Sequence, residues 1–485
     1  MNAAPRRVLF SVPNGGSAGS LLRSGVLSRL LDLEPDVEVV LASALVRDPA
    51  FAREFAHPRV RLENLPPHVP SGLEPRLLGL VQAAYLASNP TESVRIRHAE
   101  ARAKKTVRWT TLKYGFTRVI APSMARSASR FRLTDRLVSH PDADALFAAH
   151  RPVLYVASNP GLIAPEIPLL RTAVRRGVRS MALDPSWDNF TNKLMPVRRV
   201  DRLVVWNDLM KRQAIDIHGY DLAQIRVAGS PQWDLYFRGH ACASREAFFR
   251  RIGADPARKL VTLTTTPRII YAHHDHVLRV LIEAMNSKAW PDPVQVLVRL
   301  HPRDDVEPYT AFKGIPHLMI EKPFRPAAVP SGDGLTVDFT EDNRRHLADT
   351  LRHSDVIINV ASTISIEAAI FDTPIVNVAF DGNEPLPFIQ SAARYYRFTH
   401  YQNITNRQAV RVAETPAQLV EHVRSYLADP SLDRAGRREV VAEQCQFTDG
   451  RSAERVAMWV AAELADLSGA RDYAHAGEES RASSQ

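Results

Sequence analysis

The sequence predicts an α/β protein made of two Rossmann-like domains that face each other across a cleft, with a helical basic insertion in the first. Three observations predict it. Short apolar stretches alternate with helical periodicity twice along the chain, which is the pattern of parallel sheets joined by crossover helices. A charged, irregular stretch between Leu235 and Arg258 separates the two runs. A length of 485 residues exceeds a usual single core and suits two domains. The expected boundaries are 1–240 for the first domain, with the insertion at about 73–135, and 255–450 for the second. A closing helix at 451–467 and a polar Gly/Glu/Ser tail at 468–485, too poor in apolar residues to order itself, complete the chain.

The first domain opens with a strand at Arg7–Val12, a loop of small residues Pro13-Asn14-Gly15-Gly16-Ser17-Ala18-Gly19, and a helix from Ser20 to Leu31. Its glycine spacing is not the GxGxxG dinucleotide fingerprint. Asn14, Gly15 and Gly16 are candidates for lining the cleft, because small residues let a substrate approach the backbone; a tight packing turn is the alternative. Further strands are expected at Val37–Ala42, Val153–Ala157, Arg179–Leu183, Arg202–Trp206 and Ile225–Ala228. In the second domain strands are expected near 260–264, 294–300, 318–320, 356–360 and 375–379.

Composition narrows the class. With 45% hydrophobic and 24% charged residues the chain is globular, and no apolar run approaches a bilayer span. Val8–Val12 is too short for a signal peptide's apolar region, so a cytoplasmic location is expected. Cys242 and Cys445 provide neither a disulfide framework nor a zinc-ligand spacing. The net charge of +9 favours anionic partners. Basic residues cluster at 95–132, interleaved with Trp109, Tyr114 and Phe116, which leads to the expectation of peripheral docking on an anionic membrane; a solvated helical face is the alternative. Nucleic acid is not expected as a partner.

Five segments concentrate chemistry at predicted strand ends. Ser354–Gly382 reads as strand, polar turn, helix, proline stop and strand, so Ser362, Thr363 and Ser365 stand where a helix N-terminus meets anions in an open α/β sheet. Glu367 is not explained by a capping box, because with Ser362 as N-cap that would need Glu or Gln at position 365. Its carboxylate suits a ribose diol, and a solvated helix residue is the alternative. Thr264-Thr265-Thr266-Pro267-Arg268 and Arg299-Leu300-His301-Pro302-Arg303 bring hydroxyls, guanidinium groups and an imidazole to neighbouring strand ends. Asp449-Gly450-Arg451-Ser452 opens the last helix. In the first domain, Trp187-Asp188-Asn189-Phe190-Thr191-Asn192-Lys193 crowds polar groups just after a strand. There Asp188 is a candidate general base, with Asn189 and Lys193 positioning the acceptor or the donor phosphates; helix capping is the alternative for Asp188.

These segments, taken in order, resemble the CDP-glycerol glycerophosphotransferase group and its relatives in surface-polysaccharide synthesis, which have the GT-B glycosyltransferase fold. WDNFTNK at 187–193 is similar to that family's WHGTPLK-like string, VVWND at 204–208 to its VWG signature and VAGSPQWD at 227–234 to its TGSPR-D signature. LTTTPR at 263–268, RLHPR at 299–303, SDVIINVAST at 354–363 and DGRSAERV at 449–456 continue the series, which spans roughly 185–456. Two segments depart from it. The family's base histidine falls on Asp188, and its Asp-Tyr-Ser-Ser string becomes Asn359-Val360-Ala361-Ser362.

The resemblance implies a transferase without a cofactor, using a nucleotide-activated donor. The expected reaction is metal-independent transfer of a glycosyl group from a nucleotide-sugar to a hydroxyl of a surface-glycan or lipid-linked acceptor. Asp188 and His301 would be catalytic. Thr266, Arg268, Arg303, Ser362, Thr363, Ser365 and Glu367 would hold the donor, and Asn14, Gly15, Gly16, Trp187, Asn189 and Lys193 would line the acceptor side. CDP-glycerol-type transfer, UDP-sugar 2-epimerisation and a non-catalytic nucleotide-binding subunit are the alternatives.

Overall fold

The computed structural model describes residues 5–469, except most of 66–71, 77–90 and 104–139, and all of 162–164, 194–198, 240–241 and 327–336. The stretch expected to form the basic insertion lies largely outside the described residues, as does the expected polar tail. No helix among the described residues is long and apolar enough to cross a membrane.

Two parallel sheets organise the chain. The first joins β1 (Arg6–Ser11), β2 (Val37–Ser43), β3 (Val60–Asn64), β4 (Leu154–Ala157), β5 (Arg179–Leu183), β6 (Arg202–Val205) and β7 (Ile225–Val227) in the order β3-β2-β1-β4-β5-β6-β7. The second joins β8 (Lys259–Thr264), β9 (Val294–Arg299), β10 (Leu318–Glu321), β13 (Val356–Asn359), β14 (Ile375–Val378) and β15 (Arg411–Ala413) in the order β10-β9-β8-β13-β14-β15. A short antiparallel ribbon, β11 (Arg325–Pro326) with β12 (Val337–Asp338), completes the described strands. Central strands are buried on both faces, which is why they read as unbroken apolar runs. In each sheet the strand order reverses direction once, between β1 and β4 and between β8 and β13. Open sheets bind ligands at such reversals.

Besides the ribbon β11 and β12, two strands of the parallel sheets escaped the sequence reading. β3 carries Arg61, Glu63 and Asn64 and lies at a sheet edge, where charged residues are tolerated; β15 is three residues long and likewise lies at an edge, that of the second sheet. The first crossover also differs from expectation. The glycines do not form a loop before a helix beginning at Ser20; Gly15–Ala18 is already helical, with the Asn14 side chain accepting from Ser17 N at 2.9 Å as its cap. A π-helical turn Gly19–Arg23 and a left-handed Gly25 (φ 96°) then interrupt the helix before Val26–Leu33.

The closing helix Ser452–Leu467 returns to the first sheet. Its Ala453, Val456, Ala457, Val460, Ala461 and Leu464 share one core with Val8, Phe10, Val39, Leu41, Val156 and Leu183. Its N-terminus is held by Asp234, whose buried carboxylate accepts from Ser452 N at 2.9 Å and Ala453 N at 2.8 Å. Gly229 (φ 82°) lies so close that a Cβ there would come within 2.4 Å of Ser452 Oγ. A second core is continuous between the halves, running from Trp187, Phe190, Trp206 and Trp233 to Ile357, Ile366 and Tyr401. A third fills the other face of the second sheet.

Removing the Asp234 carboxylate leaves two helix-terminal N–H groups buried without acceptors. Asp234→Ala is expected to destabilise the protein by about 2–3 kcal/mol, measured by urea denaturation, whereas Asp449→Ala at an exposed position of the same turn should change it by less than about 0.5 kcal/mol.

Candidate active site at the seam between the halves

The second sheet brings its chemistry to the reversal between β8 and β13. After β8, Thr265 Oγ1 accepts from His301 N at 2.9 Å, which ties the β8 and β9 ends together. Thr266 is buried, and its backbone N donates to His274 Nε2 at 2.9 Å with its hydroxyl 3.1 Å from the same nitrogen. Both groups of Thr266, expected as a phosphate ligand, thus shape the turn toward His274. His301 is half-buried, and its Nδ1 accepts from Arg303 N at 3.0 Å. Burial, with Arg303 beside it, holds this imidazole down at about 4. His301 is thus neutral at pH 7 and offers an Nε2–H donor. Arg268 and Arg303 are exposed at the same strand ends, and Arg268 Nη2 donates to Ala272 O at 3.3 Å.

Past β13 the chain turns at Ala361 (φ 37°), a left-handed conformation that a non-glycine residue holds only under constraint. Thr363, not Ser362, is the N-cap residue of the helix Ile364–Ile370, and Ser362 Oγ accepts from Ile364 N at 3.3 Å. Both hydroxyl residues are half-buried at the turn. Ser365 is not available to a phosphate: it is fully buried, with Oγ 2.8 Å from Tyr401 OH and accepting from Asn359 Nδ2 at 3.1 Å. Asn377 closes this network, accepting from Tyr401 OH at 2.8 Å.

Glu367 is no solvated helix residue. Tyr236 OH, from the short helix Asp234–Phe237, donates to its Oε2 at 2.5 Å across the seam. Burial pushes the Glu367 carboxyl up to about 7, against the opposing pull of Tyr236, Arg299 and Arg344. Arg299 is itself paired with Glu321 at 2.9 Å, and Arg344 Nη2 donates to Gln232 O at 2.7 Å.

The 187–193 string folds at the same seam. Asp188 stands at the N-cap position of the one-turn helix Asn189–Asn192 but makes no side-chain cap bond. Its carboxylate accepts from Ser186 Oγ at 2.5 Å and Asn192 Nδ2 at 3.2 Å and pairs with Lys193 Nζ at 3.0 Å. Burial works to raise its pKa, but Lys193, His400 and Ser186 outweigh that and hold it well below the usual carboxylate range. Trp187 and Asn189, expected to line the acceptor side, are both buried. Trp187 is buried, edge-on to His400 with ring centroids 4.8 Å apart, and Asn189 Nδ2 donates to buried Asp184 at 2.5 Å.

On the first sheet, Asn14 is spent on its cap, Gly16 is exposed, and Gly15 is pressed so closely to Phe339 that a Cβ would lie 2.6 Å from its ring. Gly15 is therefore a packing residue between the halves. Arg23 reinforces that contact, donating to Asp338 Oδ1 at 2.7 Å and Phe339 O at 2.7 Å. A cavity of about 210 Å³ adjoins it, lined by Arg23, Asp234, Arg238, Glu341, Arg344 and Arg345 among others.

Three residues of this region were not anticipated. His400, in the helix Thr399–Thr405, packs against the 187–193 string; burial holds it down at about 4, Asp188 pulls the other way, and Nδ1 has no partner. No flanking motif marks it in sequence. Tyr236 follows the VAGSPQWD segment by two residues, so reading two positions further would have reached it. Glu166 is fully buried at the β1/β4 reversal, accepting from Ser158 N at 2.7 Å and from Ser11 Oγ and Asn159 Nδ2. Burial raises it to about 7.

Glu367 gives a signed pH effect. Because the folded state holds its proton more tightly than the unfolded chain does, its contribution to stability is present below about 4.5 and is lost as pH rises to about 7. Glu367→Gln, which stays neutral, should therefore gain on the wild type by about 2 kcal/mol between pH 4.5 and 7.5, read from denaturation midpoints at each pH.

Comparison with known proteins agrees with this architecture. The sequence profile of CDP-glycerol:poly(glycerophosphate) glycerophosphotransferase matches residues 169–462. A lipid-A-disaccharide synthase of Syntrophotalea carbinolica is 24% identical over 260 residues, covering 50% of this chain and 56% of that protein. The chain thus spans little more than half the length of that curated relative. Among solved structures, the UDP-GlcNAc 2-epimerase of Neisseria meningitidis bound to UDP-GlcNAc superposes with a TM-score of 0.53 at 8% identity, covering 94% of this chain and 99% of that one. S. aureus MnaA with UDP gives 0.52 at 9% identity, covering 95% and 97%. At such identities the likeness is one of fold. With two parallel sheets meeting at a seam, and with more than half its length matched by one family, this chain has the GT-B fold and belongs to the CDP-glycerol:poly(glycerophosphate) glycerophosphotransferase family.

Proposed function

We propose that this transferase moves a glycosyl group from a nucleotide-sugar to a hydroxyl of a surface-glycan or lipid-linked acceptor, with no metal ion in the transfer site. The observation that carries the reading is Glu367: a carboxyl on the helix that follows the β13 turn, facing the first half, where a ribose diol would meet it in exchange for Tyr236. Arg268, Arg303 and the Nε2–H of His301 would take the charge of the departing diphosphate, with the Ser362 and Thr363 hydroxyls at the turn. The relation to a lipid-A-disaccharide synthase supports a glycosyl donor and a lipid-linked acceptor. Fold neighbours that bind UDP-GlcNAc and UDP support a uridine nucleotide.

The proton acceptor in this reading is the His400 and Asp188 pair. Lys193, His400 and Ser186 hold Asp188 as a carboxylate, so it serves as the charge beside the acceptor while the imidazole takes the proton. His400 is neutral, lacks a partner at Nδ1 and sits in the field of Asp188, which would stabilise the imidazolium that forms. The packing of His400 against Trp187 supports this reading.

Family membership favours a second reading, glycerophosphate transfer from CDP-glycerol. A thermal-shift series with UDP, CDP, GDP and ADP separates the two, since a ligand at a hundredfold its Kd stabilises by about 2.7 kcal/mol. Protection by UDP is expected; protection by CDP alone, with turnover of CDP-glycerol, would replace the first reading by the second. His400→Asn and Asp188→Asn should each lower kcat by about 10²–10⁴, and the double variant should cost no more than the worse single one. Additive losses would separate the two residues.

A further inference from the structure

Away from the transfer site, His68, Glu74 and His140 converge. One ligand atom from each lies within 4.8 Å of the others, with Glu74 and His140 buried and His68 half-buried. The His68 and His140 rings meet edge to face, centroids 5.2 Å apart. His68 Nε2 comes to 3.0 Å from Glu74 Oε2 and His140 Nε2 to 3.8 Å from Glu74 Oε1, yet neither nitrogen makes a hydrogen bond. His140 is only 6% exposed, so its Nε2 faces a carboxylate in a dry place without engaging it. A buried polar atom left in this way calls for an explanation.

We infer that His68, Glu74 and His140 form a binding site for a divalent transition metal, with zinc the ion best matched to two imidazoles and one carboxylate. That donor set leaves a fourth tetrahedral position for water. Ligands at about 2.0–2.2 Å from a tetrahedral ion lie about 3.3–3.6 Å from one another, and the separations of 3.0 and 3.8 Å found here bracket that spacing. Arg171 Nη1 donates to Glu74 Oε1 at 2.9 Å, so one carboxylate oxygen is oriented by an outer partner while the other remains for the metal. Burial, with Arg171 nearby, holds His140 down at about 4, leaving it neutral as a ligand must be.

Position gives the site a purpose. His68 and Glu74 precede, and His140 follows, the stretch 75–139 that contains the basic cluster. His140 is also the residue before the helix Pro141–His150, and Arg171 belongs to the helix Glu166–Arg175. A metal at this point would cross-link the two ends of that stretch and fasten them to the first half. Closing a loop of this length stabilises the folded state by removing freedom from the unfolded one.

The test uses the full chain, stripped with a chelator, desalted and titrated with zinc chloride. About one zinc per chain should survive a second desalting, as measured by plasma mass spectrometry, and zinc should raise the melting temperature. Cobalt(II) should give the visible absorption of a four-coordinate nitrogen and oxygen site. His140→Ala and the isosteric Glu74→Gln should each weaken zinc binding by at least tenfold, while His57→Ala at an exposed position leaves it unchanged. The proposal is overturned if the wild type retains no zinc, or if Glu74→Gln and His140→Ala retain it as the wild type does. Circular dichroism on each variant distinguishes lost binding from lost fold, and the cobalt spectrum of the wild type stands independently of any variant.

Discussion

The structure depends on where the last helix begins. An α-helix starting in a buried place leaves backbone N–H groups that must find acceptors, and here Asp234 supplies them to Ser452 and Ala453. Asp234 lies just beyond the last strand of the first sheet, whereas Ser452 comes after the whole second sheet. Their bond brings the chain back across the seam, so the closing helix fills the core of the first half with its Val456, Val460 and Leu464. Burial raises the Asp234 pKa, and the N–H bonds from Ala453 and Ser452 with Arg238 nearby counter it. A carboxylate in such a place is tolerated because its lone pairs are occupied.

With both crossings fixed, the seam becomes a built surface. It carries an apolar centre around Trp187, Phe190, Ile366 and Tyr401, and a polar margin in which partners come from opposite halves. Arg23 with Asp338 is one such pair, with both side chains almost fully buried. Buried ion pairs contribute little net stability once desolvation is counted, but removing one partner is costly, so they specify alignment more than they strengthen it. Tyr236 with Glu367, and Asp188 with His400, follow the same plan. In each, a titratable group of one half is tuned by a group of the other, and the chemistry therefore depends on how the halves meet.

The family motifs divide in two once they are placed. LTTTPR, RLHPR and the turn after SDVIIN form the strand-end cluster of the second sheet. VAGSPQWD and DGRSAERV instead form the junction at Asp234 and Ser452, where Gly229 must be left-handed and small. Both classes look alike in a sequence, since each is a short string of polar and small residues beside an apolar run. Burial alone separates them. Ser365 and Thr266 show the difference at single positions: hydroxyls suited to phosphate, turned instead toward Asn359 and His274.

Strand positions, the division into two α/β units and the strand-end clusters were determined by the sequence itself, because buried parallel strands are continuous apolar runs and their loops are not. Glu367 was legible for a local reason, the absence of any capping role at its place in the helix. The edge strands β3 and β15 were not legible, being short or charged. His400 beside Asp188, Tyr236 on Glu367, Glu166 under the β1/β4 reversal and the His68, Glu74 and His140 group were decided by tertiary structure alone. Each joins residues far apart in the chain through burial and electrostatic fit, and periodicity carries information only about neighbours along one element.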